Sequence, residues 1–173
     1  LPCTLLDDRW TAPPQRRLSG LLYITDKHGH VLMVRSGRNG AWILPGGMAI
    51  AKETPAAAAV YQARRRLSLD IHPGPVLVID HVPENDRTGA KEGINIVFHG
   101  GVLTDDQASG IKICAARTGT AEPELTAFRF MDGADLRYLV ASYLQSRIRA
   151  AEQQLSLGGI PYLHYGKPIN KAA

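Results

Sequence analysis

The chain has 173 residues, 45% hydrophobic and 21% charged, with a formal net charge of +4 and a pI of about 9.2. That length suits one domain with a sizeable core, and the balance is that of an ordinary globular protein, not of a disordered tail or a membrane-embedded chain. The mild basic excess suits a small phosphate-bearing ligand, or simply a solvated basic surface, and no lysine/arginine run is long enough to argue for nucleic acid.

Residues 1–16 read as an irregular arm closed by Pro13-Pro14. Asp7 and Asp8 fall where a signal peptide needs an apolar stretch, and no apolar run approaches membrane-spanning length. Cys3 and Cys114 are too few for a disulfide framework or a zinc site. A cytoplasmic chain with free thiols and no membrane partner is the expectation.

Arg17–Thr25 is predicted as a strand, Asp26–Gly29 as a turn and His30–Arg35 as the return strand of a hairpin. Ser36–Gly40 is a glycine-rich loop leading to Trp42. Pro45, Gly46 and Gly47 then break a short strand before a helix over Pro55–Leu67, with Thr54 as N-cap and Pro55 at the first helical position. On that helix Val60, Ala63 and Leu67 share a core face, while Gln62, Arg65 and Arg66 share the opposite one.

Beyond Pro73–Pro75, Val76–Val82 reads as a buried strand and 83–93 as a polar loop carrying Glu84, Asp86, Arg87, Lys91 and Glu92. Ile94–Leu103 is the next strand, with Gly100-Gly101 predicting a bulge or a close backbone approach. Asp105–Gly110 is a turn, and Ile111–Ala115 is weighed as a short strand. Glu124–Met131 is a strand ending at Asp132-Gly133. One helix follows, striped by Leu136, Leu139, Val140, Tyr143, Leu144, Ile148, Ala151 and Leu155, and stopped by Gly158-Gly159. The arm (1–16), a domain over 17–157 and a tail over 158–173 complete the division; the tail packs back on the body or against a second copy.

The stretch from Trp42 to Asp70 carries a resemblance. LPGG, then Glu53 and ETPAAAAV, resemble the Nudix box, G-xxxxx-E-xxxxxxx-REUxEExGU, with Gly47 as its opening glycine and Glu53 as its first glutamate. The resemblance implies a Nudix-like α/β/α sandwich, a mixed β-sheet between helices, over roughly Arg17 to Leu155. It also implies a hydrolase of nucleoside diphosphate derivatives whose helix glutamates hold divalent cations. Here the pattern departs: Tyr61-Gln62 stand for Arg-Glu, Arg65-Arg66 for Glu-Glu and Ser68 for the late glycine. Hard cations need oxygen ligands; Gln62 offers one neutral oxygen and the arginines none. A face that would be triply negative is doubly positive, so no metal is expected on this helix.

Arginine suits phosphate or carboxylate through its planar fork. Arg65 and Arg66 are therefore expected to bind an anion, or else to be a solvated pair. Gln62 would orient a ligand oxygen, and Gly46 and Gly47 would bring backbone close to it. Arg35, Arg38 and Arg17 are further candidates from the first hairpin and its loop. Glu53 has lost the arginine the resemblance would pair it with. It is expected in a salt bridge to another arginine, with catalysis as the minority role. Tyr23 and Phe98 are core residues by default and stacking residues by the sharper reading.

Three functions stay open. The first is a domain binding a nucleotide-like or other phosphate-bearing metabolite, with Mg²⁺-dependent hydrolysis weak or lost. The second is a hydrolase that relocates its acids to Glu84, Asp86 and Glu92, or to Asp80-His81, the one case in which Mg²⁺ or Mn²⁺ is expected; His81, His99 and His164 show no metal-ligand spacing. The third is a non-catalytic partner-binding domain, with a homodimer through the tail and last helix.

Overall fold

The structure, a computed structural model, describes residues 15–86, 89–114 and 124–169. Most of the expected arm, with Asp7, Asp8 and Cys3, lies outside these residues, as do Arg87 and Ala115.

Strand β1 (Arg17–Thr25) is buried along most of its length on both faces, because both of its edges and both of its sides are covered. β6 (Gly93–Val102) runs parallel along one edge and the short β4 (Gly46–Met48) antiparallel along the other. Such double cover fits the unbroken apolar run Leu21–Ile24 at its centre. Its return strand β2 (Val31–Ser36) meets it only at Thr25↔Val31. The predicted hairpin therefore closes at its base and then splays, since β4 has taken the edge a full hairpin would need. β2 pairs instead with β3 (Trp42–Ile43) and β7 (Leu125–Met131). On the far side, β5 (Val76–Val82) joins β6 antiparallel. β8 (Tyr162–His164) adds parallel to β5, and β9 (Lys167–Pro168) closes the edge.

Alternation along β1 and β2 divides the core in two. Leu22, Ile24, Leu32 and Val34 face helix α1 (Pro55–Leu67) through Ala59, Ala63 and Leu67. Tyr23, Val31 and Met33 face α4 (Ser142–Leu157) through Leu144, Ile148 and Ala151. Period-two alternation on a strand gives two helix-covered faces. The fold is a mixed sheet between helices.

α1 starts as expected, with Thr54 Oγ1 accepting from Ala57 N–H at 3.2 Å and Pro55 in the first turn. Its buried face is Ala58, Ala59, Ala63 and Leu67; Val60 instead borders an outer groove, so the apolar face lies a step away from the predicted one. The helix ends on Ser68 at φ 54°, the left-handed region where the Nudix box carries glycine. A non-glycine residue there costs roughly 1–2 kcal/mol. Ser68→Gly is expected to raise stability by about 0.5–1 kcal/mol, the entropy of an added glycine offsetting part of the relief. Urea denaturation of the pair checks it, and an unchanged midpoint would show that Ser68 is not strained.

Three predicted elements differ. The Asp105–Gly110 turn is a short helix, α2 (Asp105–Ser109), nucleated by a reciprocal capping box between Thr104 and Gln107. Residues 111–114 form no strand; Lys112 N–H and Cys114 N–H bind the end of α1 at Leu67 O and Arg66 O. The single long helix is two, α3 (Gly133–Leu139) and α4, separated where Val140 turns to extended backbone (ψ 140°). Gln145 Nε2 donates to the Arg137 and Val140 carbonyls there, and so replaces the helical bonds lost at the break. Leu139 and Leu155, both predicted in the apolar stripe, are exposed instead. The bulge at Gly100 is present as a register shift against β1 between Tyr23 and Ile24. Tyr23 is a core residue whose phenol is pushed up to about 12 by burial and, secondarily, by the charge of Glu152. Phe98 packs against the α1-side core.

Candidate functional site

Two glycines determine the floor of the site. Gly46 sits at φ 131°, and a Cβ there would lie 2.2 Å from Gly20 O across the β1/β4 ladder. At Gly47 a Cβ would lie 2.9 Å from Gln62 Cγ. The turn needs these glycines, and so does the close seat of α1 on β4. Above this floor opens a cavity of about 800 Å³. Its wall includes Arg17 and Met48 near β1 and β4, Glu84 and Asp86 from the loop after β5, and Tyr143 and Arg147 from α4.

Among the residues expected at the site, the cavity gathers Gly46, Gly47, Arg66, Arg17, Arg38, Glu84 and Asp86. Arg35, Glu53, Gln62, Arg65 and Glu92 do not line it. Arg35 Nε folds back onto Gly40 O at 3.2 Å. Among the described residues Glu53 has no salt bridge of the kind expected; Oε2 accepts from Ile50 N–H at 3.0 Å and closes the loop before α1. Glu92 is held by Arg16 at 2.5 Å and approaches His81 at 3.4 Å. Glu84 lies at the cavity but is paired with Lys91 at 2.7 Å. Asp80, weighed as a replacement acid, is fully buried and engaged elsewhere. Arg147 Nε donates to its Oδ2 at 2.7 Å, and Gly166 N–H to its Oδ1 at 3.1 Å.

The two box arginines divide. Arg65 turns to the side of α1, bonding Gln62 Oε1 at 3.2 Å and Glu124 Oε2 at 2.5 Å, with its guanidinium over Tyr61. Arg66 faces the cavity, 3.4 Å from Gly46 O. Its Nε lies 2.6 Å from the same Glu124 oxygen, an ion-pair contact whose angle falls short of a hydrogen bond, so that buried N–H has no partner in line. One carboxylate thus serves two guanidinium groups. Burial pushes the Glu124 carboxyl up, but the Arg65 hydrogen bond and the charges of Arg66 and Arg65 outweigh it and hold the carboxyl below its ordinary value. Burial, more than the neighbouring Arg65, draws Arg66 below the usual guanidinium value despite Glu124. Arg65 is raised, first by its hydrogen bond to Glu124.

Sequence reasoning missed Glu124, Arg147, Tyr143 and Tyr165 as site residues. Glu124 reaches Arg65 across 59 positions, a distance at which one sequence carries no pairing signal. Asp80, an acid inside an apolar strand, is the one local clue that a buried cation had to come from elsewhere.

The donor set on α1 does not fit a divalent cation: an amide and two guanidinium groups stand where carboxylates would be needed. Among the described residues no group of three or more His, Cys, Asp or Glu side chains is placed to hold a metal ion. No described helix is long and apolar enough to cross a membrane.

With this architecture the chain has the Nudix fold. The MutT protein of Methanosarcina mazei Go1 superposes with a TM-score of 0.65 at 19% identity, over 81% of this chain and 95% of that one. An ADP-ribose pyrophosphatase from Streptococcus suis 89-1591 gives 0.56 at 16% identity, over 87% and 99%. A MutT Nudix hydrolase from Burkholderia pseudomallei gives 0.59 at 17% identity, over 81% and 98%. No protein-family profile and no curated protein matches the sequence.

Proposed function

We propose that the cavity binds a phosphate-bearing or otherwise anionic, nucleotide-like metabolite, with guanidinium groups supplying the positive charge that a cation supplies in the Nudix box. Magnesium-dependent diphosphate hydrolysis of the ordinary kind is then weak or lost. The observation that carries this reading is the sharing of a single Glu124 carboxylate between Arg65 and Arg66, with Arg66 on the cavity wall. Arg17 and Arg38 add to it: both line the cavity, Arg17 Nε donating to the Lys91 carbonyl and Arg38 exposed. Solved structures of the same fold include MutT proteins and an ADP-ribose pyrophosphatase, and the phosphorylated substrate in the latter's name supports the reading.

A thermal-shift titration with inorganic pyrophosphate, in buffer holding a chelator, tests it. At a hundredfold excess over Kd, bound anion stabilises by about 2.7 kcal/mol. Arg66→Ala is expected to weaken binding about 10- to 100-fold, the value of a charge-assisted hydrogen bond. Glu124→Gln, which frees both arginines, is expected to tighten it. A shift seen only with Mg²⁺ or Mn²⁺, together with hydrolysis abolished by Glu84→Gln or Asp86→Asn, would establish the second reading instead. That alternative stands on the placement of those two acids in the same cavity.

A further inference from the structure

The proposal that follows rests on the anion-binding reading and adds to it the other half of the ligand. We propose that Tyr143 and Tyr165 form a stacking platform for a flat unsaturated ring carried by the anion, with Tyr165 the residue that selects for it. The two rings lie 4.5 Å apart between centroids at an interplanar angle of 11°, and both border the cavity that holds Arg66. Tyr165 keeps 42% of its surface exposed, so ring surface remains for a further partner. The Arg147 guanidinium sits 5.5 Å from the Tyr143 centroid, which extends the array with a delocalised cation.

Tyr165 and Gly166 are the two-residue turn between β8 and β9, with φ 50° and 77°, the conformation a tight hairpin turn requires at both positions and one that tyrosine rarely adopts. The next residue, Gly166, is seated so tightly that a Cβ would lie 2.2 Å from Tyr143 O. Its N–H is received by the buried Asp80 carboxylate, itself clamped by Arg147. A tight turn anchored on a buried ion pair keeps the Tyr165 side chain in one place at the cavity. A ligand with an anionic group on Arg66 and a flat ring on the tyrosines would use both walls.

The test compares phenyl phosphate, cyclohexyl phosphate and inorganic pyrophosphate on the full chain without metal. Phenyl and cyclohexyl groups differ little in apolar area but only the first stacks. Phenyl phosphate is expected to bind about fivefold tighter than cyclohexyl phosphate, the increment of an aromatic pair beyond its area. Tyr165→Ala removes the preference and Tyr165→Phe keeps it; circular dichroism confirms that both variants fold. No preference in the wild type, or a preference that survives Tyr165→Ala, overturns the platform and leaves the anion reading intact. A preference lost in Tyr165→Ala alongside no pyrophosphate binding upholds the platform and overturns the anion reading. Binding of none of the three overturns both.

Discussion

Replacing Asp80 with asparagine is expected to cost about 3–5 kcal/mol, because it leaves Arg147 charged, 3% exposed and without its counter-ion. Against a total of about 5–15 kcal/mol for a domain, that is a large fraction. Asparagine can still accept from Gly166 N–H, so the loss isolates the charge and not the shape. Urea denaturation at neutral pH measures it. Replacing both partners with apolar residues of similar volume, Asp80→Leu with Arg147→Met, should recover most of the loss, since a buried pair returns little more than its own desolvation. A single-variant loss below about 1 kcal/mol would show that water reaches the guanidinium. The pair joins β5 to α4 and to the β8–β9 turn, so its rupture should also loosen the wall that carries Tyr165.

Gly20→Ala is expected to be the other severe change, at about 3 kcal/mol or more, the upper end of overpacking. Its Cβ would fall 1.7 Å from Pro55 O and 2.5 Å from Pro55 C, and backbone cannot rotate out of the way as a side chain can. The first turn of α1 must lift from β1. Because α1 also carries Arg66 and seats Gln62 on Gly47, the lift should weaken pyrophosphate binding as well as stability. Urea denaturation and the metal-free titration read the two effects separately. A variant within about 1 kcal/mol of the parent would mean that α1 does not press on β1 as described.

Much of this fold was legible before any coordinates. β1, α1 and β5 have the predicted bounds, because the signals that delimit them are local: a Thr-Pro N-cap pair and strands bounded by turn residues. The resemblance carried by the residues from Gly47 to Leu69 implied the sandwich, and the arginines at 65 and 66 are visible in the letters alone. The failures share a cause. The helix break at Val140 is supported by Gln145, and α2 by a capping box between Thr104 and Gln107, of which only Gln107 lay in the predicted turn. A helical stripe continues through a break when the next helix begins in nearly the same phase. Arg65 and Arg66 are neighbours in sequence, yet only Arg66 lines the cavity, since adjacent helix positions project about 100° apart.

Local spacing by itself settled β1, α1 and β5, and that the helix after the glycine turn carries an amide and two guanidinium groups at positions 62, 65 and 66. Only the tertiary structure decided how that charge is compensated. Glu124 returns from the start of β7 to serve two arginines, and Asp80 meets Arg147 across 67 positions. It also decided that the tail joins the sheet beside β5 and brings Tyr165 to the cavity. The reason is physical: backbone preferences are set within a few residues, whereas a buried charge is satisfied by whichever group the finished packing brings within hydrogen-bond reach.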